Sequence, residues 1–218
     1  MKNNKYRLIS EDCKTNYGRK LYRIEALKDF GVVEAGELGG YIESENNLSF
    51  DGEAWVCENA EVFDDARVCN NALISGNTLV CGNATIYGNA ILGDNVIIEK
   101  DTDWFTVGPI GSRNSFTTFA LNKDKSIYVF CGCFHGNIDE FEKAVEKTHK
   151  GTKYEEEYKL AIALAKKKIA TVKTNEQKCN EMFLETFGIS YATALVHPDW
   201  WQQEYKNIND KITQKENE

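Results

Sequence analysis

The residues of this chain best suited to chemistry lie in one short run, Gly108-Pro109-Ile110-Gly111-Ser112-Arg113-Asn114-Ser115, with Thr117 and Thr118 just behind it. Two glycines leave backbone amides uncovered. Ser112 and Asn114 add donors, and Arg113 offers a planar, two-pronged one. Such a set suits a phosphate or a carboxylate. It is not a Walker loop, because the Gly-x-x-x-x-Gly-Lys-Ser/Thr spacing is absent. The competing reading is a plain turn in which Arg113 pairs with a local carboxylate.

A second run, Cys131-Gly132-Cys133-Phe134-His135-Gly136, precedes a helical pattern whose N-terminus can attract an anion. Cys-x-Cys beside a histidine raises the question of a metal. Two sulfurs one residue apart on a strand point to opposite faces, and no second Cys/His pair has suitable spacing. No metal or other cofactor is therefore expected. A nucleophilic cysteine with His135 or His149 as its base is the alternative to simple packing. His149 falls at the end of the next helical pattern, where a ligand contact competes with a C-cap role.

The elements that must position these groups read as an α+β region. Strand structure is expected at Trp104-Phe105-Thr106-Val107. Phe116 to Leu121 and Ile127 to Cys131 should pair as a hairpin around the polar turn Asn122-Lys123-Asp124-Lys125. The period then changes to 3.6. Ile138, Phe141, Val145 and Thr148 mark one helix face, with Asn137 as N-cap and Asp139 and Glu140 in the first turn. Gly151 can end that helix. A second helix carries Tyr154, Tyr158, Ile162, Ala165 and Ile169, and Lys166-Lys167-Lys168 read as its solvated face. A third carries Cys179, Met182, Phe183 and Phe187, before Pro198-Asp199-Trp200-Trp201 and a polar tail.

Upstream, eight consecutive six-residue units run from Gly52 to Glu99: GEAWVC, ENAEVF, DDARVC, NNALIS, GNTLVC, GNATIY, GNAILG and DNVIIE. The third residue of each is small and the fifth aliphatic. Asn, Asp and Gly at the first two positions tolerate left-handed backbone, so each unit reads as a short strand and a tight corner. A fixed period of this kind means a solenoid. Ile42, Leu48 and Phe50 carry the phase weakly upstream. Residues 1–51 read as a cap, with Tyr6-Arg7-Leu8-Ile9 and Leu21-Tyr22-Arg23-Ile24 as strands joined at Asn16-Tyr17-Gly18. Such a cap covers an otherwise unpaired strand edge.

The repeat resembles the hexapeptide repeat of left-handed parallel β-helices. In that family three hexads make one triangular coil of about 18 residues. The resemblance implies a short left-handed β-helix over 52–100, which with the N-terminal cap (1–51) and the C-terminal α+β domain (101–218) read above makes a mainly β chain. It also implies a homotrimer. Units 18 apart then stack, giving corner rows Asn59/Asn77/Asn95, Asn71/Asn89 and Asp65/Asn83. Cys57, Cys69 and Cys81, 12 apart, fall on different faces and form no metal ladder or disulfide row.

Segments of 105–160 also resemble a small domain of uncharacterised bacteriophage proteins. The resemblance rests on Ile110-Gly111-Ser112-Arg113, Thr117-Thr118, Gly132-Cys133-Phe134, Gly136, Glu140-Phe141, Val145, His149 and Tyr158. It implies a phage or prophage setting, and brings no settled catalytic mechanism. The candidate ligand-binding residues are accordingly Gly111, Ser112, Arg113, Asn114, Thr117, Thr118, Phe134, His135, His149 and Tyr158.

Bulk properties narrow the partners. No run of about 18 apolar residues exists and the N-terminus lacks an apolar signal stretch, so no membrane association and a cytoplasmic site are expected, the host cytoplasm for a phage protein. Seven cysteines, an odd number, fit a reducing compartment. Net charge is −8, and seven Asp/Glu face Arg67 alone between 52 and 99, which argues against nucleic acid. Hexapeptide acyltransferases need a histidine base near the coils, and none lies between 1 and 134. The expected function is non-enzymatic: sequestration of a small anionic, nucleotide-like ligand in clefts between subunits, as a phage protein would use against a host defence signal. The alternatives are docking on a host protein, with Trp200 and Trp201 as contacts, and an acyltransferase-like enzyme.

Overall fold

The computed structural model of the protein describes residues 3–94 and 96–169. The expected third helix, Asn95 and the Trp200-Trp201 segment lie outside the described residues.

The cap opens with a hairpin. Strands β1 (Tyr6–Asn16) and β2 (Arg19–Ala26) pair antiparallel. Tyr17 and Gly18 between them have φ of 48° and 75°, the left-handed pair that a two-residue hairpin with right-handed twist requires. Strand β3 (Leu38–Ile42) joins two kinds of sheet. One edge runs antiparallel to β2, and the other runs parallel to the solenoid strand β5 (Glu61–Val62). The cap therefore continues one wall of the solenoid instead of merely lying over its end. Lys5 and Trp55 plug the opening. The fully buried Lys5 ammonium donates to the carbonyls of Ala54 (2.6 Å) and Ser49 (3.2 Å), and Phe30 and Tyr6 pack edge-on against Trp55.

The solenoid is built from two-residue strands: β4 (Trp55–Val56), β5, β6 (Arg67–Val68), β7 (Leu73–Ile74), β8 (Leu79–Val80), β9 (Thr85–Ile86), β10 (Ile91–Leu92) and β11 (Ile97–Ile98). All pair in parallel, 18 residues apart. They form the walls β4-β7-β10, β5-β8-β11 and β6-β9 of a parallel β-solenoid of about three turns. The small third residues and aliphatic fifth residues fill its interior, from Ala54 to Val96 and from Val56 to Ile98, at 0–1% exposure. Cys57, Cys69 and Cys81 follow strands of three different walls, as expected.

Each corner turns on the first residue of its unit. Glu58, Asp64, Asn70, Gly76, Gly82 and Asp94 are among those with φ between 57° and 65°. Left-handed backbone costs a non-glycine residue about 1–2 kcal/mol. A compensating contact offsets it. Glu58, Asp64 and Asn70 each lie one coil below a glycine, and their side-chain oxygens accept from the N–H of Gly76 (2.6 Å), Gly82 (3.3 Å) and Gly88 (3.3 Å). Next to this ladder run amide rows, with Asn71 Nδ2 donating to Asn89 (3.1 Å) and Asn59 Nδ2 to Asn77 (3.5 Å).

The first coil departs from the period. Ile42 pairs with Val62 and Leu48 with Val68, an offset of 20 instead of 18. Ile42 to Leu48 keeps the six-residue step through a turn at Glu45–Asn47 capped by Ser44, whose buried Asn47 donates to the carbonyls of Asp64 and Ala66. The two extra residues fall between Leu48 and Val56, in the bend at 50–53. Ile42 and Leu48 thus hold ladder positions, whereas Phe50 packs on the core from a bend.

After Lys100 the chain forms an antiparallel meander: β12 (Trp104–Ile110), β13 (Ser115–Leu121), β14 (Ile127–Cys131) and β15 (Phe134–Asn137). The hairpin of β13 and β14 was expected; β15 was read as a junction. Helices α1 (Ile138–His149) and α2 (Lys153–Lys168) follow, with Asn137 and Glu140 forming the capping box of α1. The two faces of the meander do different work. Trp104, Ala120 and Phe130 cover the last solenoid coil, while Phe119, Leu121 and Val129 pack beneath α1 and α2.

Candidate ligand pocket

Two turns and two helices build the site. The turn between β12 and β13 holds Gly111 to Asn114, closed by Asn114 N–H donating to Gly111 O at 3.1 Å. Helix α2 fastens this turn from below. Glu157 Oε2 accepts from Gly111 N–H at 2.8 Å, and the Tyr158 hydroxyl lies against Gly111 where any Cβ would stand. The second turn, Gly132-Cys133, joins β14 to β15, with Gly132 at φ 61°. Arg113 reaches across from the first turn to the second. Its Nη2 is 3.6 Å from Cys133 Sγ, within reach of a weak N–H···S hydrogen bond.

Between the turns and α1 lies a pocket of about 250 Å³. Ser112 and Arg113 line it together with Cys131, Cys133, Phe134, Phe141, Thr148, His149 and Tyr158. Its aromatic wall is continuous: ring centroids are 5.0 Å apart for Phe134–Phe141, 5.5 Å for Phe141–Tyr158 and 5.5 Å for Tyr158–His149. The floor is tied down by Thr117, whose hydroxyl donates to Cys131 Sγ at 3.2 Å, and by the Cys131 thiol 3.7 Å from Tyr158 Oη. Burial, then the Cys131 contact, push the Tyr158 phenol well above its ordinary pKa, with Arg113 opposing. Tyr158 therefore stays a neutral hydroxyl near pH 7.

Arg113 supplies the charge. Among the described residues no carboxylate lies within ion-pair distance of it, so the local salt bridge of the plain-turn reading is not formed there. A guanidinium at the edge of an aromatic recess can hold an anion whose apolar part enters the recess. Larger recesses exist, of about 420 Å³ around Asn59 and Asn77 and about 610 Å³ between Lys143 and Lys159. Their linings are mixed in charge and carry no comparable aromatic wall.

Of the ten candidate residues, Ser112, Arg113, Phe134, His149 and Tyr158 line the pocket directly. Gly111 and Thr117 support it from behind. Asn114 is exposed at the far end of its turn. Thr118 and His135 belong to the opposite face of the meander. Thr118 Oγ1 accepts from Ile91 N–H at 3.2 Å on the last coil, and the His135 ring packs on Phe130. His149 is the last residue of α1, and Lys150 holds the C-cap position. The His149 carbonyl accepts from the Thr152 hydroxyl at 2.7 Å, and its ring packs on Tyr154 and Tyr158.

The two Cys-x-Cys thiols were expected on opposite faces. Both line this one pocket, because Cys133 sits in a turn, where strand alternation no longer holds. Among the described residues no three His, Cys, Asp or Glu side chains converge as metal ligands. The α1 N-terminus, proposed as an anion site, is filled by its own cap: Glu140 N–H donates to Asn137 Oδ1 at 2.8 Å. Sequence reasoning placed Phe141 and Val145 on one helix face without naming them as ligand contacts, and passed over Ala144 and Glu157. The extension of the α1 face to Thr148 and His149, beyond what the sheet covers, was the available signal.

No family model matches the chain, and no curated protein matches it. Among the described residues no helix is long and apolar enough to cross a membrane.

Proposed function

We propose that this chain is a binding protein that captures a small anionic ligand in the pocket between the Gly111–Asn114 turn and α1. The observation that carries the reading is Arg113: a guanidinium without a carboxylate partner among the described residues, at the rim of an aromatic recess. Arg113 is exposed, so water solvates its charge in the free protein. A ligand anion adds charge-assisted, two-pronged hydrogen bonds while its apolar part enters the recess. The pocket is formed within one chain, so capture does not depend on assembly. The homotrimer and the phage setting implied by the two resemblances are part of this proposal. In that setting, capture would withhold a small host metabolite or signal.

The test is native mass spectrometry of protein purified gently from cells, beside Arg113→Ala. The expected result is an added small mass on each chain, absent from the variant, on a homotrimer. Wild type and variant both bare, in every extract tried, would remove the reading.

A further inference from the structure

We propose that the ligand is a single ring bearing one delocalised negative charge, a carboxylate or a phosphodiester, and not a phosphomonoester such as a nucleoside monophosphate; this rests on the pocket reading above. Three observations lead there, and they concern charge, size and shape.

The charge follows from the lining. Arg113 is the one permanently charged side chain among the residues that line the pocket; the rest are Ser112, Cys131, Cys133, Thr148, His149, Tyr158 and apolar groups. Glu157, the nearest carboxylate to the turn, is committed to Gly111 N–H at 2.8 Å and adds a negative charge behind it. A phosphomonoester brings about −1.5 to −2 at neutral pH. One guanidinium neutralises one such charge. The surplus would find no second permanent cation among the lining residues. Sites that hold phosphomonoesters collect further cations or a row of backbone N–H groups. Here the Gly111 and Asn114 amides are already spent, on Glu157 and on Gly111 O, which leaves this turn only those of Ser112 and Arg113, short of such a row.

Size and shape agree. At about 250 Å³ the pocket lies below the ~300–1,000 Å³ usual for small-molecule sites. A compact ligand of one ring and one charged group suits it better than a base, a sugar and a phosphate together. The wall of Phe134, Phe141 and Tyr158 offers an apolar slot for that ring. Arg113 spends one N–H on Cys133 Sγ and keeps the rest of its fork for two equivalent oxygens.

The experiment is isothermal titration of the full chain at pH 7.5 with four probes: benzoate, methyl phenyl phosphate, phenyl phosphate and AMP. The expected result is binding of benzoate or methyl phenyl phosphate at least tenfold tighter than phenyl phosphate, and no measurable binding of AMP. Which of the two monoanions prevails separates a carboxylate from a phosphodiester. Arg113→Gln should abolish the binding and Arg113→Lys should weaken it, with thermal unfolding confirming that both variants fold. Phenyl phosphate or AMP binding as tightly as the monoanions, and lost in Arg113→Gln, would overturn the charge inference while sparing the pocket. Absence of Arg113-dependent binding for all four probes would overturn both.

Discussion

Arg113 Nη1 lies 2.7 Å from the point that a Cβ on Gly132 would occupy. The guanidinium that gives the pocket its charge is thus seated over a residue that has no side chain. Gly132 also has φ 61°, so both its conformation and its bareness serve one contact. Gly132→Ala should cost about 1–2 kcal/mol in left-handed strain. It should also push Arg113 off the turn and away from Cys133. Urea unfolding reads the first effect and ligand titration the second. A variant that loses stability yet keeps wild-type binding would mean that the seat of Arg113 is unimportant.

The solenoid corners allow a sharper comparison. Gly76 and Gly88 have nearly the same backbone, φ 65° and 71°. A Cβ on Gly76 would meet Asp94 N at 2.6 Å, whereas one on Gly88 would meet nothing within 4 Å. Gly88→Ala should cost only the strain, about 1–2 kcal/mol. Gly76→Ala should cost a further ~1–3 kcal/mol, because the neighbour is backbone in the next coil and cannot rotate away. Equal losses in urea melts would show that the coils are more loosely stacked than the geometry implies.

The solenoid was legible because its period is repeated eight times and every unit puts the same residue types in the same place. A shift of phase at any one unit would have been visible against the other seven. The 20-residue first coil was not legible, since its two extra residues sit in the bend between Leu48 and Val56, which no repeat announces. The site was half legible. Alternation along β13 correctly separates Thr117 from Thr118, but both faces of the meander are buried, one by the solenoid and one by helices. Nothing in the alternation says which buried face carries the pocket. Thr118 and His135 fell on the wrong side for that reason, and Cys133 on the right one because a turn, not a strand, sets its direction.

Lys5 makes the cap sensitive to alkali. Burial, then repulsion from Lys28, lower its pKa from 10.5 to about 8, with Asp51 and Glu53 opposing. The folded-state value is the depressed one. Between about pH 8 and 10.5 the unfolded chain keeps a proton that the folded chain has released, so this group raises stability as pH rises through that window. The full shift corresponds to about 3 kcal/mol at most. Cys57 and Cys81, both pushed up to about 11, act in the opposite sense as the pH climbs above their unfolded values. The informative quantity is therefore the difference between wild type and Lys5→Met in urea melts at pH 7 and pH 10. That difference should shift in favour of wild type at the higher pH. No change would mean that the carbonyls of Ala54 and Ser49 hold the ammonium charged throughout.

The cysteines provide a chemical map of the same structure. Burial, then nearby carboxylates, push Cys57 and Cys81 up to about 11, which leaves on the order of one thiolate in a thousand at pH 8. Cys13 and Cys133 are exposed. Brief treatment of the native protein with iodoacetamide at pH 8, followed by peptide mass spectrometry, should label Cys13 and Cys133 first and spare Cys57 and Cys81. Because Cys133 shares the pocket with Arg113, a bound anion should slow its labelling severalfold and leave Cys13 unchanged. Slowing at both positions would point to a general effect of the added salt. Slowing at neither, at a ligand concentration that saturates the titration, would place the ligand elsewhere on the protein.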